Sequence, residues 1–156
     1  MRALVIFVLF FSPGALAKTA QLQFSPEHTL AKVLELMKLK PQQIPLPEVR
    51  FASLVSLADF QNDVEPQWGF RPDQVTNVYI AAGNRIYLLD EESFYLEKDR
   101  CMDDSLAHEL VHFIQVKYLK IPIEQFDDSM EWQAIEVQSQ FRDLFCPKSP
   151  PKKSRH

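Results

Sequence analysis

The chain has 156 residues and a formal net charge of −4, with 21 acidic residues against 17 basic ones. The length fits one domain. The negative charge argues against nucleic acid as a partner, because that kind of binding depends on clustered positive charge. The only basic cluster, PKKSRH, lies at the end of the chain after a proline-rich stretch. We expect residues 147–156 to be a disordered basic tail rather than a binding arm.

Residues 1–17 have the pattern of a secretory signal peptide. Arg2 precedes an apolar run over residues 3–11, which is followed by a Ser-Pro-Gly break and by Ala-Leu-Ala. A basic start, a short apolar run and small residues before the cleavage site define such signals. The run is too short to cross a bilayer. We therefore expect export to the periplasm or the medium, no stable membrane anchor after cleavage, and a single domain over residues 18–146.

The next segment predicts a helix. Ser25 can cap its N-terminus and Pro26 suits its first turn. Apolar residues at Leu30, Val33 and Leu34 then share one helical face.

Three shorter elements are predicted after that helix, beyond a stretch with three prolines. Residues 49–52 suit a short strand, and residues 53–60 suit a short helix. Residues 61–74, QNDVEPQWGFRPDQ, have the composition of a loop.

A β-hairpin is predicted over Val75–Ile80 and Arg85–Leu89. Both segments are rich in β-branched and aromatic residues, and Ala-Ala-Gly-Asn between them suits a turn. The chain has no repeating βαβ rhythm. The order of elements predicts an α+β fold, in which a small antiparallel sheet or hairpin packs on the helices that follow.

The segment SLAHELVHFIQ carries the H-E-x-x-H motif as His108, Glu109 and His112. On a helix, positions i and i+4 lie about 40° apart in projection, so both imidazoles can reach one metal ion. Glu109 lies about 100° from His108 and can act as a base toward the water that such a metal would hold. The flanking residues are apolar nearly all round, which predicts a buried helix. Because buried polar side chains need partners, we expect zinc here rather than an ordinary core helix.

A third ligand must come from elsewhere in the chain. One extended form of the motif needs Gly and His where this sequence has Gln115 and Tyr118, so that form is excluded. A second helix is predicted from residue 128 or 129 to about residue 145, and it offers Glu131 and Glu136. Glu131 borders the expected apolar face, about 100° from Met130, whereas Glu136 points away at about 240°. We expect Glu131 to be the ligand.

Two alternatives stay open on these helices. Asp128 and Glu131 have the spacing of a capping box, which would give Glu131 a capping role. Gln115 and Gln138 lie near the expected ligands and could orient them. Taken singly, each glutamine is more typical of a solvated surface position.

Cys101 and Cys146 form the only cysteine pair. Export permits a disulfide and the even count favours one. The bridge would close a long loop, for which chain entropy suggests up to about 4 kcal/mol of stabilisation. Neither cysteine lies in a CxxC motif, which argues against a cysteine-type metal site.

The register HELVHFIQ followed by EWQA resembles the gluzincins, which are zinc metallopeptidases with an H-E-x-x-H helix and a glutamate from a following helix. The spacing of Glu131 and Ala134 is similar to that of the compact members. The resemblance covers about residues 85–145. The chain also resembles small exported bacterial proteins of unassigned function that carry a similar HELVH helix.

The resemblance implies a minimal zincin-like domain that binds Zn²⁺ and acts on a peptide or protein. It implies an edge strand that holds an extended peptide by backbone pairing. Arg85–Leu89 is the segment in the matching place, although a plain hairpin would look the same. The resemblance also implies a Tyr or His that stabilises the oxyanion, for which Tyr87, Tyr95 and Tyr118 are all candidates.

The sequence therefore predicts an exported zinc peptidase in which His108, His112 and Glu131 bind the metal and Glu109 is the general base. An alternative is a catalytically degenerate zinc module that recognises peptide or cell-wall material without cleaving it. A third interpretation needs no metal and is a helical scaffold held by the disulfide.

Overall fold

A computed structural model describes residues 18–147 of the chain. The expected signal peptide and residues 148–156 of the expected tail lie outside the described residues. Within that range the fold is mixed α+β, as predicted, with five α-helices and one three-stranded sheet. The elements in chain order are α1 (Pro26–Leu36), β1 (Glu48–Phe51), α2 (Leu57–Trp68), β2 (Val78–Ile80), β3 (Arg85–Leu88), α3 (Glu92–Glu97), α4 (Met102–Lys117) and α5 (Asp128–Phe145). None of the helices between residues 18 and 147 combines the length and hydropathy that a membrane crossing needs.

The sheet has the strand order β1-β3-β2, so β3 is its central strand. β1 runs parallel to β3, with Glu48 opposite Arg85, whereas β2 pairs with β3 in the antiparallel sense. Two predictions are therefore wrong. The sheet is mixed rather than antiparallel, and Arg85–Leu89 is not an edge strand. The hairpin pattern could not reveal this, because the second neighbour of β3 comes from a distant part of the chain.

Both faces of the sheet are covered at β3, so Ile86, Tyr87 and Leu88 are all buried. One face packs on α4, and α1 and α5 pack on α4 to complete the larger core. The other face packs on α2, where Phe60 and Val64 contact Val78, Ile80 and Tyr87. The residues of the larger core that are fully buried are Val33, Ile86, Leu88, Leu106, Ala107, Leu110, Val111, Phe113, Ile114, Ala134 and Phe141.

Helix α2 occupies much of the segment predicted as a loop. The predicted helix over residues 53–60 is replaced by a 3₁₀ turn at Ala52–Leu54 and by α2 itself. Ser56 caps α2 by accepting from the backbone of Asp59. Composition misled the prediction, because only Phe60 and Val64 of the helix are buried and most of its other residues are polar. Pro66 lies in the last turn, past those packing residues.

Helix α4 begins slightly before the predicted capping residues. Its cap is Cys101, whose backbone N–H donates to the Asp104 carboxylate over 3.1 Å. Helix α5 matches the prediction closely. Cys101 and Cys146 form the predicted disulfide, with 5.9 Å between their Cα atoms. The bridge joins the start of α4 to the end of α5, so the two helices are antiparallel. Helix α3 was not predicted.

Candidate metal centre

Two turns of helix meet at the surface of the larger core, where His108 and His112 of α4 face Glu131 of α5. The two Nε2 atoms are 3.1 Å apart. Glu131 places one carboxylate oxygen 3.2 Å from Nε2 of His108 and the other 3.3 Å from Nε2 of His112. Two atoms that each lie ~2.0–2.1 Å from a tetrahedral zinc ion are about 3.3 Å apart. Each facing pair of atoms therefore has the spacing of neighbouring ligands of one such ion.

Glu131 is free for this contact because another residue caps α5. Asp127 is the N-cap, and its carboxylate accepts from the backbone of Ser129 over 2.9 Å. The capping box that the sequence left open for Asp128 and Glu131 is therefore not the arrangement observed. Glu136 is exposed and accepts a hydrogen bond from Gln140 on its own helix.

The buried side chain of Gln115 fixes the proton of His112. Its Nε2 donates to the carbonyl oxygen of Met130 over 3.0 Å, and that carbonyl can only accept. Its Oε1 must then face Nδ1 of His112, at 2.9 Å. In its neutral form His112 therefore carries its proton on Nδ1, which leaves the lone pair of Nε2 pointing toward Glu131. The solvated interpretation of Gln115 is wrong, because the residue is fully buried.

Gln138 is also buried and lies beside His108. Its Nε2 donates to the carbonyl oxygen of Asp104 at 3.1 Å and to the carboxylate of the same residue at 3.0 Å. Gln138 and His108 line one small cavity. Within residues 18–147, the buried Nδ1 of His108 has no hydrogen-bond partner. Gln138 is thus a buried neighbour of the site rather than a solvated glutamine.

Glu109 presents a buried carboxyl group to the same place. It is 5 % exposed and lies on the flank of α4. Burial raises its pKa to about 7. The charge of His112 and the backbone N–H of Tyr79 act in the opposite direction and lower it. A carboxyl group with a pKa near neutrality can both accept and release a proton at physiological pH.

His108, His112 and Glu131 shift one another's pKa values. Burial, followed by repulsion from His112, lowers the pKa of His108 to about 4. Burial also acts to lower the pKa of His112, but a hydrogen bond to Glu131 and the charge of Glu109 raise it above its usual value. The hydrogen bond with His112 lowers the pKa of Glu131, against the effect of burial. At neutral pH the site thus offers an ionised carboxylate and a neutral His108.

A cleft of about 320 Å³ opens onto these groups. Its walls combine apolar and polar side chains, and part of one wall is the edge strand β2. The lining residues that the sequence did not single out are Gln67, Trp68, Asn77, Val78, Tyr79, Ile123 and Phe126. They come from α2, from β2 and the residue before it, and from the segment between α4 and α5, so only the tertiary fold brings them to the H-E-x-x-H helix.

The three tyrosines considered as oxyanion donors do not line this cleft. The hydroxyl of Tyr87 is bound to Asp63, that of Tyr95 donates to the carbonyl of Leu89, and that of Tyr118 reaches the carbonyl of Gln42. None of the three is in place to donate to a group held between His108 and His112.

No protein-family model, curated protein or solved structure matches the chain. Two imidazole nitrogens and a carboxylate suit a divalent transition metal, and His108, His112 and Glu131 form a group able to hold one. The orphaned Nδ1 of His108 and the fixed Nδ1 proton of His112 are both compatible with ligation through Nε2.

Proposed function

We propose that the chain is a zinc-dependent peptidase of the gluzincin type. The observation that carries the proposal is the spacing of His108, His112 and Glu131, with 3.1–3.3 Å between their facing atoms. A buried carboxyl group, Glu109, lies on the same cleft. Zinc is the metal that this set of two nitrogens and one oxygen most commonly serves in hydrolases.

The roles of the residues follow from their positions. Nε2 of His108, Nε2 of His112 and the carboxylate of Glu131 bind the metal. A bound zinc ion supplies a Lewis acid that polarises a carbonyl group and lowers the pKa of water. Glu109 accepts the proton of the attacking water on its carboxylate and passes it to the nitrogen of the leaving amine. Gln115 keeps the His112 ring in one orientation during these steps.

The cleft suits an extended peptide with an apolar side chain. Trp68, Ile123 and Phe126 line it and can contact such a side chain. The strand beside the cleft is β2, which lies at the edge of the sheet. We therefore assign to the cleft beside β2, rather than to Arg85–Leu89, the peptide-holding role that the resemblance implied.

The order of elements supports a minimal zincin-like domain. An edge strand, β2, lies beside the H-E-x-x-H helix, and the next long helix supplies the glutamate. The disulfide between Cys101 and Cys146 supports export, because such bonds persist in oxidising compartments.

A second candidate function is a zinc module that recognises peptide or cell-wall material without cleaving it. The observation that favours it is the engagement of Tyr87, Tyr95 and Tyr118 away from the cleft. A peptidase needs a donor for the oxyanion of its tetrahedral intermediate, and these candidates do not supply one.

Digestion of a broad peptide library by the zinc-loaded protein tests the proposal. We expect cleavage by the wild-type chain and none by Glu109→Gln, with one zinc ion retained by both proteins in elemental analysis. Hydrolysis at the wild-type rate by Glu109→Gln would remove Glu109 from the mechanism. A wild-type protein that holds zinc and binds peptides but cuts none of them would favour the recognition module.

A further inference from the structure

The outer edge of β2 is not open to a new strand, because side chains already bind its peptide groups. The carbonyl oxygen of Tyr79 accepts from Nε2 of Gln67 at 2.9 Å. The next outward group, the N–H of Ala81, donates to Oε1 of Gln67 at 3.0 Å. A peptide that adds to this edge meets Gln67 first.

The side chain of Gln67 is chemically equivalent to a peptide group. A carboxamide has one carbonyl acceptor and N–H donors, as a peptide bond does. Gln67 uses both against the acceptor of Tyr79 and the donor of Ala81, which are the groups that a further strand would bind. A single side chain of this chain therefore occupies the pairing positions of a bound peptide.

Gln67 also lies where two clefts meet along β2. The cleft of about 320 Å³ contains the candidate metal ligands, and a neighbouring cleft of about 370 Å³ runs past Ile80 and Gly83. Gln67 and Ile123 line both of them. An extended peptide that filled both clefts would have to pass the carboxamide of Gln67.

The backbone around Gln67 holds it at this point. Gln67 lies in the last turn of α2, which is packed on the sheet through Phe60 and Val64. Gly69 follows in the left-handed conformation, with φ of 74°, and ends the helix. The side chain is half-buried, so a competing peptide can still reach it.

We propose that Gln67 is a specificity-determining residue that closes β2 to peptide pairing between Tyr79 and Ala81. This inference rests on the proposed function, since it assumes that peptides bind along β2. Peptides confined to the cleft of the metal ligands bind without disturbing Gln67. Longer peptides must exchange its two hydrogen bonds for their own, so the added residues contribute no net backbone pairing.

The consequence is a dependence of affinity on peptide length. An extended residue spans ~3.3 Å, so a series of blocked, leucine-rich peptides of roughly four to ten residues samples one cleft and then both. With Gln67 present, the affinity for the peptide rises with peptide length and levels off where the peptide reaches Gln67. Without the carboxamide, affinity continues to rise along the second cleft.

Fluorescence anisotropy with this peptide series tests the inference in zinc-loaded Glu109→Gln protein, which binds without cutting. We expect Gln67→Ala in that background to bind the longest peptides about tenfold more tightly, a factor that corresponds to about 1.4 kcal/mol. The shortest peptides should bind equally to both proteins. The matched control is Gln61→Ala, which removes another α2 glutamine that donates to a backbone carbonyl, that of Pro72, and lines neither cleft.

Unchanged or weaker binding of the longest peptides by Gln67→Ala would overturn the inference, provided that thermal melting shows the variant to be folded. If Gln67→Ala is unfolded, Gln67→Glu replaces it: this variant keeps an acceptor for Ala81, loses the donor to Tyr79, and should show a smaller gain of the same sign. No gain by a folded Gln67→Glu would overturn the inference as well.

The two proposals fail in different ways. Binding with the expected length dependence, but no cleavage by the wild-type protein, would overturn the proposed peptidase activity and support the role of Gln67. Cleavage by the wild-type protein with no effect of Gln67→Ala on long peptides would do the reverse.

Discussion

Nδ1 of His112 and Oε1 of Gln115 lie 2.9 Å apart, in a hydrogen bond buried between α4 and α5. Because the same glutamine donates to the carbonyl of Met130, it couples one candidate ligand on α4 to the start of the helix that carries another. The same side chain therefore orients the imidazole and links α4 to the start of α5.

Replacing this glutamine should weaken metal binding without touching a ligand. We expect Gln115→Leu to reduce zinc affinity about 10–100-fold, the usual effect of losing a hydrogen bond behind a histidine ligand. Competition with a chromogenic chelator measures the affinity. The control is Gln140→Ala, an exposed glutamine on α5 that contacts Glu136 and should leave affinity unchanged. Equal affinities for Gln115→Leu and the wild type would show that Gln115 does not orient His112.

Replacing each of the two glutamates of α5 that the sequence offers should have very different effects on zinc occupancy. Glu131→Ala removes the carboxylate that lies 3.2 Å and 3.3 Å from the two imidazoles and should lower zinc occupancy well below one ion per chain. Glu136→Ala removes an exposed carboxylate and should keep full occupancy. Elemental analysis of protein purified without a histidine tag measures both. The opposite pattern would mean that the wrong glutamate has been assigned.

The disulfide should contribute strongly to stability. Cys101 and Cys146 are 45 residues apart in sequence, so the chain-entropy model gives about 4 kcal/mol as the most that the bridge can add. We expect the Cys101→Ser, Cys146→Ser double variant to lose up to this amount in its free energy of unfolding. Urea unfolding in the presence of a metal chelator measures the loss. A reductant should destabilise the wild type but have no effect on the variant, and an identical stability of the two oxidised proteins would contradict the prediction.

Acid should weaken the packing of α2 through Asp63. Burial acts to raise its pKa, but hydrogen bonds from Tyr87 and Arg85 outweigh burial and hold the pKa below its usual value. A carboxyl group whose pKa is lower in the folded state adds stability above its unfolded pKa, ~3.9, and loses it as the pH falls through the folded value. We therefore expect Asp63→Asn to be less stable than the wild type near neutrality and the difference to shrink in acid.

Urea unfolding of both proteins between neutral and strongly acidic pH measures this difference. Asp73→Asn, a change at an exposed aspartate, should follow the wild type at every pH. A gap between the wild type and Asp63→Asn that stays constant through the acid range would show that Asp63 does not act through its ionisation.

The parts of the site that sequence could predict are those fixed by helical geometry. The positions of His108, Glu109 and His112 on one buried helix follow from their spacing, and the side of α5 that carries Glu131 follows from its apolar pattern. Both helices bury enough apolar surface for periodicity to reveal them.

The contacts of α2 and the sheet order could not be predicted in this way. α2 buries only Phe60 and Val64, so its pattern is weak and its polar composition suggested a loop. The residues of a strand do not determine by themselves which strands lie beside it. The parallel partner of β3 is Glu48–Phe51, which is distant in sequence. Gln67 was missed for the same reason, because its role exists only where α2 meets β2.

The segment between α4 and α5 lies inside the loop that the Cys101–Cys146 disulfide closes. Lys120 lies in this segment, exposed and with φ of 60°, and it offers a protease an accessible site. A cut there leaves Cys101 on one fragment and Cys146 on the other, still joined by their disulfide. His108 and His112 would then belong to a different polypeptide from Glu131, yet all three would remain tethered in one molecule. Nicking at this position would thus convert the protein into a two-chain form that separates on a gel only after reduction.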